Sequence, residues 1–127
     1  MKIKRVTPIL IVDAIEPVLP FWKERMGYQQ LVEVPHEGKV GFVLLSRDDG
    51  QVMLQTRASL HDDLPKIAAA KPTSVLYVDV DSIEKAQKAM KGLEVIVERR
   101  KTFYGAHEFA VKDPSGQITI FSQHDRE

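Results

Sequence analysis

The sequence predicts an α+β fold made of two tandem β-α-β-β-β modules, and three observations carry that expectation. Residues 48–56 and 113–122 repeat one pattern, an acidic turn, then Gly-Gln, then a short apolar run, with Gly50 and Gly116 lying 66 residues apart in a chain of 127. Asp13-Ala14-Ile15-Glu16 and Asp81-Ser82-Ile83-Glu84 repeat Asp-x-x-Glu at a spacing of 68. This is a relative of the capping box that opens helices. Each of these starts is preceded by one strand-like run and followed by three more.

In chain order, the first module reads as a strand over 6–12, a helix, and strands over 28–34, 40–46 and 51–56. The helix carries Ile15, Val18, Leu19, Trp22 and Met26 at helical spacing, with Gly27 as its stop. Pro17 suits a first turn, whereas Pro20 predicts a kink or a tightened turn. Trp22, in this stripe, reads as a core anchor. The second module reads as strands over 74–80, 93–99, 107–112 and 117–122 around a helix with Ile83, Ala86, Met90 and Leu93 on one face and Gly92 at its end. Residues 57–72 form a polar, Ala-rich connector with room for one short helix. The expected organisation is one domain over 1–127, with module one about 4–56 and module two about 73–123.

Composition narrows the function. Eighteen basic and eighteen acidic residues leave no net charge, which argues against nucleic acid or an anionic membrane as partner. The sequence contains no cysteine, so disulfides, thiolate nucleophiles and zinc ribbons are excluded. Residues 1–5 lack a signal-peptide core and no apolar run approaches membrane-spanning length, so a soluble, cytoplasmic protein is expected.

Three segments carry a family resemblance. Thr7-Pro8-Ile9-Leu10 followed by Phe21-Trp22-Lys23-Glu24-Arg25-Met26-Gly27-Tyr28 looks like the first strand and helix of bleomycin-resistance proteins. Tyr104-Gly105-Ala106-His107-Glu108-Phe109 resembles their Trp-Gly-Arg-Glu-Phe segment, and Asp113-Pro114-Ser115-Gly116 matches an Asp-Pro-x-Gly turn. In order on a duplicated frame, from about residue 5 to 123, they resemble the vicinal oxygen chelate superfamily of glyoxalases, bleomycin-resistance proteins and dioxygenases. The resemblance implies a cupped mixed sheet with helices on the outer face. Strand alternation would then turn Leu76, Val78 and Val80 to the helices, and Val75, Tyr77 and Asp79, with Thr7, Ile9 and Ile11, into the cup.

Metal-dependent members of that superfamily take one ligand, usually His, from each module's first strand and one, usually Glu, from each last strand. The matching windows here are 6–9, 73–76, 53–56 and 119–122, and none of these sixteen residues is His, Asp or Glu. Gln55 is the one remnant, and a single amide carbonyl would not hold a catalytic metal. The expectation is therefore no metal and no cofactor. His61 in the connector and His124 in the tail read as solvated groups, and His36 as a turn residue beside Gly38 or a ligand contact. His107 and Glu108 point to opposite faces of one strand, so they form no dyad.

Ligand contacts are expected from Tyr104, which matches the drug-stacking Trp of the resistance proteins, and from Phe103, Tyr77, Asp79, Gln55, His36 and His107. Asp79 has two open readings, a cup-facing carboxylate or an ion pair with Arg99 or Arg100. The resemblance implies a protein that captures a small hydrophobic or aromatic compound, as in antibiotic resistance, and works as a homodimer whose first strand crosses to the partner at Pro8. The lack of net negative charge sets it apart from the acidic proteins that bind cationic bleomycin. The alternatives are a metal-dependent lyase, isomerase or dioxygenase with an atypical site drawn from His36, His107 or Glu108, and a regulatory module without chemistry.

Overall fold

A computed structural model describes residues 1–125. It has eight strands among them: β1 (Ile3–Val12), β2 (Gln29–His36), β3 (Lys39–Arg47), β4 (Gly50–Thr56), β5 (Ser74–Val80), β6 (Glu94–Lys101), β7 (Ala106–Lys112) and β8 (Ile118–His124). Three short α-helices accompany them: α1 (Arg57–Asp63), α2 (Pro65–Ala69) and α3 (Ile83–Ala89). The described chain forms two compact units, one of residues 8–74 and the other of residues 1–7 with 75–125, so β1 is divided between them after Thr7. All eight expected strands are present. The connector holds two helices where one is expected, because Leu64, in a non-helical conformation, ends α1 and Pro65 starts α2.

In the unit of residues 8–74, β1 runs parallel to β4, with Ile9 opposite Met53 and Ile11 opposite Gln55. β3 lies antiparallel to both β4 and β2. Alternation places Val43, Leu45, Val52 and Leu54 on one face around the fully buried Ile15, with Val18, Leu19, Trp22 and Tyr28 packed over them. Trp22 takes the anchoring role that its stripe predicts.

The segment carrying that stripe is not an α-helix, which corrects the sequence expectation. Residues Glu16–Val18 form a 3-10 turn and Phe21–Arg25 a single π turn, closed by Met26 N–H donating to the Phe21 carbonyl at 2.9 Å. Pro17 sits harmlessly in the first turn, but Pro20 lacks a donor that a continuous α-helix needs, and its ring would meet the carbonyl one turn earlier. Asp13 is accordingly no cap. Its carboxylate pairs with Arg57 at 3.0 Å, while Glu16 accepts from the Val40 amide at 2.9 Å. Gly27 does end the segment, at φ 73°, and a Cβ there would lie 2.1 Å from Arg47 Nη1, which donates to the Met26 carbonyl.

In the other unit, β5 is parallel to β8, while β7 is antiparallel to β8 and to β6. Val78, Val80, Phe109, Val111 and Phe121 pack with Ile83 and Ala86 of α3, and Met90 and Leu93 close the cluster. The Phe109 and Phe121 rings stack at 5.3 Å. The cap of α3 is Ser82, whose Oγ accepts from the Lys85 amide at 3.2 Å. Asp81, the expected cap, instead accepts from the Lys2 backbone amide at 2.7 Å.

The two Gly-Gln turns also differ in build. The first is a two-residue hairpin with Asp48 at φ 53° and Arg47 opposite Gly50. The second is longer, with Asp113 Oδ1 accepting from the amides of Ser115 and Gln117 and the left-handed position taken by Gly116. None of the described helices is long and apolar enough to cross a membrane.

If Ser82 is the cap, Ser82→Ala should cost about 1 kcal/mol in chemical denaturation. Asp13→Ala should shift the denaturation midpoint by less than that, since it caps no helix and loses only an exposed ion pair with Arg57.

Candidate functional site

The register of four strands assembles a polar row. Asp79 of β5 stands opposite Ser122 of β8, Ser122 opposite Glu108 of β7, and Glu108 opposite Arg100 of β6. All lie on the face turned away from α3, because the intervening Val78, Phe109 and Phe121 fill the helix-covered cluster. Burial along the row is uneven: Glu108 is 2% exposed and Ser122 fully buried, while Asp79 is partly exposed.

A buried carboxylate needs donors, and Glu108 has four. The Tyr77 hydroxyl lies 2.8 Å from Oε2, Ser122 Oγ lies 3.2 Å from it, and the Tyr104 hydroxyl donates to the same oxygen. Arg100 Nη2 reaches Oε1 at 3.4 Å. The chain of contacts continues outward, since His124 Nε2 stands 3.0 Å from the Tyr77 hydroxyl and 3.4 Å from Asp79 Oδ1. The Tyr104 and His124 rings lie 6.0 Å apart, and Phe103, 86% exposed, meets Tyr104 edge-on at 5.0 Å. Thr102 positions this loop, its Oγ1 accepting from the Ala106 amide and its amide donating to the Ala106 carbonyl. Beside His124 is an open hollow of about 250 Å³ lined also by Lys4, Arg5, Asp79 and Val80.

Electrostatics follow from this geometry. Burial, and then the Glu108 charge, push the Tyr77 and Tyr104 phenols well above their ordinary value. The hydrogen bond from His124 to Asp79 raises the imidazole above its usual range against some desolvation. Both phenols therefore remain donors, and the imidazole carries its proton further toward neutral pH.

The expected contact residues divide between the two units. Tyr77, Asp79, Phe103 and Tyr104 come together around Glu108 and His124. His107 lies on the opposite face of β7 from Glu108, with its Nε2 3.6 Å from Asp125. In the other unit, Gln55 is buried and donates to Ser59 Oγ at 3.2 Å, and His36 ends β2 with Nε2 2.6 Å from Asp62 Oδ2. His36 is thus a strand end, where the sequence suggests a turn. His61, on α1, is exposed. Two readings are corrected: His124, exposed as expected, ends β8 and does not lie in a tail, and Asp79 pairs with His124, while Arg99 pairs with Glu84 and Arg100 with Glu108. The sequence offers Arg100 only as a partner for Asp79, and it points neither to Ser122 nor to the central role of Glu108. The available signal was polarity at alternate positions of otherwise apolar strands.

The strand positions used for a chelated metal can be tested one by one. Thr7 is fully buried and its Oγ1 has no partner among the described residues. Gln55 is engaged by Ser59, and the hydroxyl of Ser122 is engaged by Glu108. Neutral hydroxyls and one amide do not fit a catalytic divalent cation, which wants imidazole and carboxylate.

Eight strands with few helices, arranged as two strand-rich modules, define a mixed α+β protein. The chain belongs to the Glyoxalase/Bleomycin resistance protein/Dioxygenase superfamily, whose family model matches residues 2–120. Among solved structures it is similar to a superfamily member from Vibrio splendidus (23% identity, TM-score 0.72, covering 96% of this chain and 99% of that one). A protein from Bacillus halodurans is also similar (19%, TM-score 0.77, 100% and 98%), as is methylmalonyl-CoA epimerase from Streptomyces coelicolor (15%, TM-score 0.70, 98% and 100%). These likenesses are of fold. No curated protein matches the chain.

Two titrations check the network. Phenolate absorbance from Tyr77 and Tyr104 should appear only well above pH 10, the ordinary phenol value. A raised acid favours the folded state below its unfolded pKa, so their stabilisation is complete below about pH 10 and is lost as pH rises further. His124 should titrate above the usual imidazole range by NMR, and Asp79→Asn should lower its midpoint.

Proposed function

We propose that this protein is a small-molecule-binding member of the superfamily that captures a hydrophobic or aromatic compound without the chelated metal of its catalytic relatives. The observation that carries the reading is the aromatic pair Phe103–Tyr104, held out by its loop while the Tyr104 hydroxyl is tied to the buried Glu108. An 86% exposed phenylalanine has little packing reason, and a ring fixed by its hydroxyl loses little freedom when a ligand stacks on it. The ligand's other end falls to the hollow beside His124, where Lys4 and Arg5 stand against one carboxylate, Asp79. Two cations against one anion favour an aromatic compound bearing an acidic group, in keeping with a chain that lacks the negative charge suited to cationic drugs. Assembly as a homodimer, with the N-terminal strand passing to the partner, and a role resembling antibiotic resistance belong to the same reading.

The test is calorimetric titration with a panel of aromatic antibiotics and aromatic acids. At least one should bind below about 100 µM, equivalent to about 5.5 kcal/mol. Phe103→Ala and the double variant Lys4→Ala/Arg5→Ala should each weaken it by about tenfold or more. A panel without binders, or a binder indifferent to both variants, would sink the proposal.

A further inference from the structure

We propose that His36, Glu37 and Asp62 form a surface site for a divalent transition-metal ion of the zinc type, separate from the strand positions of the chelate superfamily. His36 ends β2, Glu37 occupies the β2–β3 turn, and Asp62 lies on α1, 26 residues beyond His36. One ligand atom from each lies within 4.8 Å of the others, close enough for a single ion to be shared. An imidazole with two carboxylates is the donor set that suits zinc, cobalt or nickel, whereas calcium and magnesium prefer oxygen alone.

Two features of the backbone aim these groups. Glu37 adopts φ 51°, in the left-handed region that non-glycine residues rarely occupy, and Gly38 follows at φ 79° to complete the turn. At Gly41, a Cβ would lie 2.5 Å from the His36 Cβ and 3.3 Å from the Ser59 Cβ. Glycine there lets the His36 side chain lie against β3 and face α1. The sequence of the turn and the glycine of the next strand thus jointly direct the imidazole to Asp62.

The present contact, 2.6 Å between His36 Nε2 and Asp62 Oδ2, is a hydrogen bond. Tetrahedral ligands about 2.0–2.1 Å from zinc stand about 3.3 Å apart, so the pair must separate by about 0.7 Å. Asp62 is exposed and on a short helix, and a small rotation of its side chain supplies that. Its other oxygen is 3.4 Å from His61 Nδ1, which puts a second imidazole at the edge of the site. The bound ion would tie the connector helix to the β2–β3 hairpin. Because α1 is only seven residues long, such a tie is the kind of constraint that would hold it.

Untagged full-length protein, stripped with chelator and dialysed, is titrated with Zn²⁺ by calorimetry and with Co²⁺ by visible absorption. The expected result is one ion per chain, visible Co²⁺ bands that Zn²⁺ removes, and a rise in melting temperature with Zn²⁺. His36→Ala and Asp62→Asn should each weaken Zn²⁺ binding by at least about tenfold and abolish that rise, while Asp49→Asn on another hairpin should change neither. Both variants are exposed or partly exposed substitutions, and their circular dichroism reports whether they have folded. No Zn²⁺ binding below 1 mM, or equal binding by wild type and both variants, would overturn the proposal and leave His36–Asp62 as an ion pair alone.

Discussion

A carboxylate buried to 2% exposure in a β-sheet is the constraint around which residues 75–125 are arranged. An ionised group in such a place is tolerated only when donors replace its lost water. Glu108 receives them from every neighbouring quarter: Tyr77 of β5, Ser122 of β8, Arg100 of β6 and Tyr104 from the loop before β7. Their side chains are therefore fixed by a common acceptor. Removing Glu108 would take the acceptor from the Tyr104 hydroxyl and one contact each from Tyr77, Ser122 and Arg100 in a poorly hydrated space, a larger loss than that of one ordinary contact.

This constraint also underlies the ligand site proposed above. Tyr104 would otherwise be one ring in the short connection Thr102-Phe103-Tyr104-Gly105. Its hydroxyl anchor makes it a rigid face, and Phe103 beside it is left with almost its whole ring in solvent. His124 connects this aromatic edge to the polar hollow, because one imidazole touches Tyr77, Asp79 and the Tyr104 ring. Recognition of an aromatic group and of charge can then share one residue, and the same contacts that stabilise Glu108 preorganise the surface on which a ligand would rest.

The fold was largely legible in the chain. Two Gly-Gln strands and two Asp-x-x-Glu starts at nearly one offset identified the modules, and alternation in residues 74–80 divided Val78 and Val80 from Tyr77 and Asp79 correctly. The failures were local and have physical causes. Asp13 and Asp81 matched a cap pattern, but Pro20 broke the first helix and Ser82, one residue later, captured the second. The site was less legible, because Arg100, Glu108 and Ser122 are brought together by cross-strand register, which a single sequence does not print. Glu108 was visible only as the neighbour of His107 on the other face and as a candidate for an atypical metal site, and His124 only as part of a polar end.

The central claim is that ligand recognition resides on the Glu108-anchored face and needs no chelated metal. It is tested most directly by recording amide and aromatic-ring correlation spectra of the protein with a bound aromatic acid in excess EDTA. The account predicts undiminished binding, with shifts concentrated at residues 102–105, Glu108, Ser122 and His124. Binding that appears only when a divalent metal is restored, or shifts confined to residues 8–74, would contradict it.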